Sequence, residues 1–393
     1  MAGPLEGVRI LDLSVMISGP LSAMLLADQG AEVIKVESPG LGDLMRYLGT
    51  VRNGMTGIFL NNNRGKRSLV VDLKQPDGLD IVRRLAATSD VLIQNFRPGA
   101  MERLGLGYDD VAALNDQLIY VSISGYGPTG PNSHRRVYDN VIQAASGFAS
   151  VQTDPRTGEP AMLRNLVCDK ATAYTAAQAI TAALFARERG TAGGQHITLA
   201  MIDAAIAFLW PDAGMDVALL ADDAQRRPTL GANYAVTRLA DGFCSGAAVS
   251  DAEFRGWCAA LGHPEVADDP RFATTALRGA NVSDLIASMS EYASQTNVAD
   301  FLRRAEEHDV PASPINSLSD LPHDAQIRHN EVFVERDHPA AGQVREPRPA
   351  PRFSATAASP SARWAPSYGE HSDEIVDELG LDAAALRAAA VIF

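Results

Sequence analysis

Short apolar runs alternate with longer stretches of helical period along the first half of this chain. Val8-Arg9-Ile10-Leu11-Asp12-Leu13 is brief and rich in β-branched and aliphatic residues, the mark of a strand. Pro20 to Gln29 carries a helical pattern that Gly30 ends, and Ala31-Glu32-Val33-Ile34-Lys35-Val36 reads as the next strand. The alternation continues with a helix from Asp77 to Thr88, a buried strand at Val91-Leu92-Ile93-Gln94, and a strand at Leu118 to Ile123. A helix from Lys170 to Arg189, capped by Gly190, then leads to a strand at His196-Ile197-Thr198-Leu199. Strands and helices in this order predict an α/β fold with a parallel sheet covered by helices. Ligands of such sheets lie beyond the carboxyl ends of the strands.

The pattern changes after about residue 225. Residues 236 to 249 predict a small hairpin, and Asp251–Leu261, Leu285–Ala293 and Val298–His308 predict helices. Beyond Asn316 the chain is rich in Pro, Ala and Arg, as in Arg345-Glu346-Pro347-Arg348-Pro349, and reads as an extended return segment. A last helix spans about Ser372 to Leu379, stopped by Gly380. The expected organisation is a large domain at 1–200, a linker helix at 201–224, a smaller α+β domain at 225–318, and a return linker with a C-terminal helix at 319–393.

Composition narrows the function classes. Thirty-four Lys and Arg against 48 Asp and Glu give a net charge of −14, the opposite of a nucleic-acid binder's balance. The three cysteines, Cys168, Cys244 and Cys258, are far apart and form neither a metal motif nor a disulfide framework, which fits a reducing cytosol. The N-terminus lacks a basic stretch followed by an apolar run, and no apolar stretch has the length of a membrane span, so a cytoplasmic protein is expected. There is no HExxH or clustered His/Asp set, so no metal is expected. Without a GxSxG elbow, a serine hydrolase is disfavoured.

Four stretches carry candidate chemistry. Asp169, in Val167-Cys168-Asp169-Lys170, stands at the start of an alanine-rich helix. There a carboxylate serves either as an N-cap or as an ionised, fixed nucleophile. Gly125-Tyr126-Gly127-Pro128-Thr129-Gly130 matches GxGxxG after a strand, but Pro128 and Pro131 remove donors and oppose a continuing helix, so it reads as a tight turn. Arg64-Gly65-Lys66-Arg67 with Lys74, and Arg97 with Arg103, are basic islands in an acidic chain. They read either as solvated surface or as a site for the phosphates of a nucleotide-bearing carrier. Phe96 in Asn95-Phe96-Arg97-Pro98-Gly99 is placed to face an adenine. Finally, His134 and Tyr138 lie on a polar segment, Ser133 to Asn140.

These residues resemble, nearly end to end, the class III CoA-transferases, the group of formyl-CoA transferase, carnitine CoA-transferase and the α-methylacyl-CoA racemases. The resemblance runs through Leu5 to Leu13, Gly30 to Glu37, Gly42-Asp43-Leu44-Met45-Arg46, and Asn63 to Ser68 with Asp72-Leu73-Lys74. It continues through Asn95 to Gly105, Ser124-Gly125-Tyr126-Gly127, Asp268 to Phe272 and Gly369 to Glu374. It implies a Rossmann-like large domain built from both chain ends, and an interlocked, ring-like homodimer. It further implies that Asp169 attacks an acyl-CoA thioester and that Tyr138 lines the active site. Lys74, Asn95, Phe96, Arg97 and Arg103, with Leu73, Leu104 and Ile17, would bind coenzyme A, which is a substrate and not a tightly held cofactor.

Two departures matter. The racemases carry His-Asp where this chain has Tyr138-Asp139, and a phenol is a poorer base at neutral pH than an imidazole. That favours CoA transfer to a free carboxylic acid over α-proton exchange, with a CoA-thioester-binding protein lacking turnover as a third class. The formyl-CoA transferases carry glutamine where this chain has Ile17, and a glycine run where this chain has Asp241-Gly242-Phe243-Cys244-Ser245-Gly246, so formyl-CoA with oxalate is a poor fit.

Overall fold

The computed structural model describes residues 3–154, 157–226, 229, 231, 234–356 and 363–393. The chain forms two compact units, one from 1–214 with 331–393 and one from 215–330.

The first unit is built on strands β1 (Arg9–Asp12), β2 (Glu32–Glu37), β5 (Lys66–Val70), β6 (Val91–Gln94), β7 (Ile119–Ser124) and β8 (Gln195–Ala200). They form a six-stranded sheet, every pairing parallel, in the order β5-β2-β1-β6-β7-β8. The chain moves outward one way from β1 through β2 to β5, and the other way through β6 and β7 to β8. The order therefore reverses between β1 and β6, and the carboxyl edge at such a reversal is where sheets of this kind bind ligands. β1, β2, β5 and β6 are buried almost throughout, as a sheet covered on both faces requires. One face packs Ile10, Val33, Val91, Val121 and Ile180 into a common core, and the other packs Leu11, Ile34, Leu69, Leu92 and Tyr120. A two-stranded ribbon, β3 (Val51–Arg52) with β4 (Met55–Thr56), stands apart from this sheet.

Strand β5 departs from the expectation. Arg64, Lys66 and Arg67 are neither solvated surface nor a phosphate site: all three are buried, and Lys66 and Arg67 lie inside the strand. Each cation has an acidic partner, Arg64 with Asp28 at 2.6 Å, Lys66 with Asp12 at 2.8 Å, and Arg67 with Glu32, Glu374 and Glu378. Burial of this much charge is tolerated only because it is paired.

The C-terminal residues pack on the same strand. Ser372 Oγ accepts from the Val70 N–H at 3.0 Å, and the Phe393 N–H donates to the Val70 carbonyl at 3.1 Å. The Pro- and Arg-rich segment is not simply extended. It holds an antiparallel ribbon, β12 (Phe333–His338) with β13 (Gly342–Pro347), laced by Arg336–Glu346 and Arg345–Glu335 pairs. A short helix, Ala383–Ala388, follows the predicted one, which spans Ser372–Glu378.

The second unit has a three-stranded antiparallel sheet of β9 (Thr237–Arg238), β10 (Phe243–Gly246) and β11 (Ala312–Pro314). Helices Asp251–Ala260, Val282–Gln295 and Val298–Glu307 cover it, with Trp257 set edge-on to Phe301 in the core. Ser250 and Glu253 form a reciprocal capping box at the first of these helices. Among the described residues, no helix is long and apolar enough to cross a membrane.

Candidate active site

The helix bearing Asp169 starts earlier than its sequence suggests. It spans Val167–Glu188, and Leu166, the N-cap residue, makes no side-chain cap bond. Asp169 is therefore inside the first turn and does not cap its own helix. The cap comes from a neighbouring element. Asp139, buried at the start of the Asp139–Ser146 helix, accepts the Asp169 N–H on Oδ2 at 2.9 Å. Its other oxygen accepts from Gln143 Nε2 at 2.5 Å. Gln143 in turn ties down the approach to Asp169, donating to the Leu163 and Asn165 carbonyls and accepting the Leu163 N–H at 3.0 Å. With the cap supplied by Asp139, the Asp169 carboxylate is free for other work.

That carboxylate is set against ionisation, contrary to the expectation from the helix dipole. Burial, reinforced by the adjacent Asp139 charge, raises it from the ordinary 3.8 to about 7. The Ser18 backbone N–H opposes the rise. Ser18 opens the Ser18–Ala27 helix immediately after the β1 loop, so its N–H is among those a helix leaves unpaired.

The β1–helix loop is fixed on all sides. Asn95, at the carboxyl end of β6, clamps Val15 twice, accepting its N–H at 2.9 Å and donating to its carbonyl at 2.7 Å. This clamp joins the segments that follow β1 and β6, where the strand order reverses. Ile17 is buried and packs with Leu21, Phe59 and Ala173, the last one turn beyond Asp169 on its own helix. Asn95, Val15, Ser18, Asp169, Asp139 and Tyr138 thus form one connected group.

Tyr138 is the N-cap residue before Asp139, and its side chain is 63% exposed. Its position follows from Gly125: a Cβ there would meet Val137 at 2.4 Å, so only glycine lets the Val137–Tyr138 segment pack against the end of β7. The GxGxxG segment is a turn, with Gly127 and Gly130 at φ of 90° and 93° and no helix starting within it. His134 is exposed on the same connection.

The remaining candidates lie along the same carboxyl edge. Leu73 and Lys74 follow β5, and the Lys74 N–H is held by Asp72 at 3.0 Å with its side chain exposed. Phe96, Arg97 and Arg103 are exposed after β6, and Gly99, at φ 80°, makes the turn that brings the Arg103 guanidinium over its Cα. The Phe96 N–H is held by Gln94 at 2.9 Å. Leu73 and Leu104 are half-buried against the core, which anchors the two loops. A cleft of about 540 Å³ lined by Arg46, Tyr47, Met55, Ala340 and Tyr368 includes none of the candidate residues. Cys168, next to Asp169, is buried, and burial pushes its thiol up to about 12, so it is inert as a nucleophile.

A half-buried carboxylate that no cation among the described residues pairs, next to a backbone donor on a sheet whose other loops carry exposed cations, suits acyl chemistry on a phosphate-bearing substrate. The family model for CoA-transferase family III matches residues 5–372. The chain belongs to that family.

Within this family III relationship, the chain is 38% identical over 380 residues to the succinyl-CoA:glutarate CoA-transferase of Mus musculus, covering 96% of this chain and 86% of that protein. It is 36% identical to the succinate–glutarate CoA-transferase of Agrobacterium fabrum, with 96% of both chains covered. Among solved structures, a CaiB/BaiF family protein from Brucella suis superposes with a TM-score of 0.86 at 34% identity, covering 96% of this chain and 100% of that one.

Proposed function

We propose that this protein transfers CoA from an acyl-CoA thioester to a free carboxylic acid through a covalent intermediate on Asp169. The observation that carries this is the Asp169 carboxylate: among the described residues no cation pairs with it, its own helix does not use it for capping, and burial beside Asp139 raises it to about 7. A carboxylate so placed is partly ionised at neutral pH and poorly stabilised as an anion, which makes it a stronger nucleophile than an exposed aspartate.

The sequence of bonds follows. An Asp169 oxygen attacks the thioester carbonyl, the C–S bond breaks, and CoA leaves as the thiolate, giving a mixed anhydride. The thiolate attacks the aspartyl carbonyl and expels the first acid as its carboxylate, leaving Asp169 as a CoA thioester. The acceptor carboxylate attacks that carbonyl, expels the thiolate and forms a second anhydride. The thiolate takes the new acyl group and Asp169 leaves as carboxylate. No proton is gained or lost, so no general base is required, which agrees with Tyr138 standing where a racemase has histidine. The Ser18 N–H is a donor for the charge that develops on Asp169 as these bonds form and break. Lys74, Arg97 and Arg103 anchor the phosphates and Phe96 faces the adenine, and that remote binding energy holds the thioester at Asp169. The working form is a homodimer of interlocked ring-like chains.

For substrates, the names of the mouse and Agrobacterium relatives favour succinyl-CoA as donor and a five-carbon dicarboxylic acid as acceptor. Ile17, in the position of the glutamine of formyl-CoA transferases, argues against formyl-CoA with oxalate.

The test is to incubate the protein with succinyl-CoA and hydroxylamine, digest it, and weigh the peptide containing residue 169. A hydroxamate or CoA adduct on Asp169 is expected. Full activity in Asp169→Ala, with no adduct at 169, would refute the mechanism.

A further inference from the structure

Beneath the β1–helix loop lies a cluster of six charged side chains that the reaction itself does not touch. Asp12, Lys35, Asp43 and Lys66 are wholly buried, and Glu37 and Arg46 nearly so. Three ion pairs balance the charge: Lys66–Asp12 at 2.8 Å, Lys35–Asp43 at 2.9 Å and Arg46–Glu37 at 2.6 Å. Stability alone is a poor reason for such a cluster, because well-packed apolar side chains commonly do as well.

What the cluster grips is backbone. Asp12 Oδ1 accepts the Ser14 N–H at 3.0 Å, and Ser14 Oγ also donates to it. Lys35 Nζ donates to the Ser14 carbonyl at 2.9 Å. Asp43 Oδ1 accepts the Met16 N–H at 3.1 Å. Lys66 Nζ donates to the Pro20 carbonyl at 2.8 Å. Between these grips Met16 is held at φ 65°, a left-handed conformation costly for a side chain of its kind and kept only where the surroundings enforce it. Gly19 completes the arrangement, since a Cβ there would lie 2.2 Å from Ser14. The grips just described fall on residues 14 to 20, while Glu37 and Arg46 hold the Asp43 N–H and the Pro366 carbonyl. Within this stretch Ser18 is the residue whose backbone N–H favours the ionised form of Asp169, and its neighbour Ile17 shares a core with Ala173 of the Asp169 helix.

We propose that Asp12, Lys35, Asp43 and Lys66 are positioning residues for the transfer reaction: their paired charges lock the Ser14–Pro20 backbone in a strained path that aims the Ser18 N–H at the Asp169 carboxylate. This rests on Asp169 as the nucleophile. A rigid backbone donor needs no reorganisation as charge moves on Asp169, whereas a relaxed loop would turn the N–H away or admit water in its place.

The experiment compares Asp12→Asn/Lys66→Met and Met16→Gly with the unaltered protein. The double variant keeps the cluster neutral and keeps an oxygen for Ser14, but frees the Pro20 carbonyl. Met16→Gly suits the left-handed conformation, so the fold is kept while the loop gains freedom. Both are expected to lower kcat with succinyl-CoA, the double variant about 10- to 100-fold and Met16→Gly about fivefold, with KM for the CoA ester within about twofold. The acidic limb of kcat/KM should move to higher pH, since Asp169 loses the donor that favours its ionised form. If the double variant does not fold, Met16→Gly decides alone. Unchanged kcat and an unmoved limb in the folded variants overturn the inference, while the hydroxamate on Asp169 of the unaltered protein leaves the reaction standing. Absence of that hydroxamate overturns the reaction and this inference together.

Discussion

Two carboxylates associated with the loop after β1, Asp12 and Asp169, behave in opposite ways. Asp12 is wholly buried, and burial pushes it upward, yet Lys66 and Lys35 outweigh that and hold it below the ordinary value. Asp169 is less buried, yet burial raises it to about 7 with the Asp139 charge adding to the rise, and no cation among the described residues offsets them. The lesson is that the partner, and not the depth, decides what a buried acid is for. A paired acid is structural: it can grip a backbone indefinitely because its charge is satisfied. An unpaired one retains free energy that bond formation can release.

The largest break in this comparison comes from removing the unpaired acid. Asp169→Ala is expected to lower kcat on the order of 10³-fold or more, because no second nucleophile is at hand and Cys168 is inert. The far-UV circular dichroism should stay unchanged, since the helix is capped by Asp139 and not by Asp169. A variant that loses its fold along with its activity would return Asp169 to a structural role.

The second prediction separates the two acids of the site. The raised value of Asp169 places the acidic limb of kcat/KM near pH 7, with the rate falling as pH drops and the carboxylate takes up a proton. Asp139→Asn removes the neighbouring charge but keeps an oxygen to accept the Asp169 N–H. The limb is expected to move to lower pH by about one unit. A limb that stays in place would mean that burial alone raises Asp169.

Smaller effects are expected at the exposed cations. Lys74→Ala and Arg97→Ala should each raise KM for the CoA ester about tenfold, or about 1.4 kcal/mol, with kcat within about twofold. The same substitutions should matter little for a truncated thioester lacking the nucleotide. An equal loss on both substrates would place these side chains at the chemistry and not at the phosphates.

How much of this was legible in the sequence follows from the same contrast. The strands β1, β2, β6 and β7 were found within a residue or two at each end because burial on both faces writes itself as an apolar run, and the half-exposed edge strand β8 was found from its β-branched residues after a glycine stop. Strand β5 was missed because Lys66-Arg67-Ser68 looks polar, and the partner that buries Lys66 is 54 residues away at Asp12. The β12–β13 ribbon was missed for a related reason: Arg and Pro mask a ladder whose Glu–Arg pairs form only across the strands. At the site, Asp169 was read as a candidate N-cap, but the N-cap residue is Leu166 and Asp169 lies inside the first turn. The acceptor of its N–H is Asp139, 30 residues earlier, and nothing local announces such a bond. The bond of the Asn95 side-chain amide to the Val15 backbone is equally silent in the sequence, since the two residues are 80 positions apart. Distant pairing is what a single sequence conceals, and here it supplies both the charge cluster and the cap.

The finest test of the comparison is in stability. Asp169 binds its proton more tightly folded than unfolded, so between the ordinary 3.8 and about 7 the native state holds the extra proton and stability falls as pH rises. At pH 8 that cost is fully present, and Asp169→Asn removes it. The variant is expected to be more stable than the parent at pH 8 by roughly 1–3 kcal/mol, less than a three-unit shift would give at full burial because the side chain is partly solvated. The advantage should shrink as pH falls and vanish once both forms carry a neutral side chain. Asp12→Asn should do the reverse, since Asp12 is held below its ordinary value and its ionised form supports the fold at every pH above that value. Across pH 4 to pH 8, thermal melts should therefore show Asp169→Asn gaining on the parent as pH rises, while Asp12→Asn lies below the parent by an offset that does not change with pH. An Asp169→Asn offset that is equally independent of pH would show that its carboxylate is not held against ionisation.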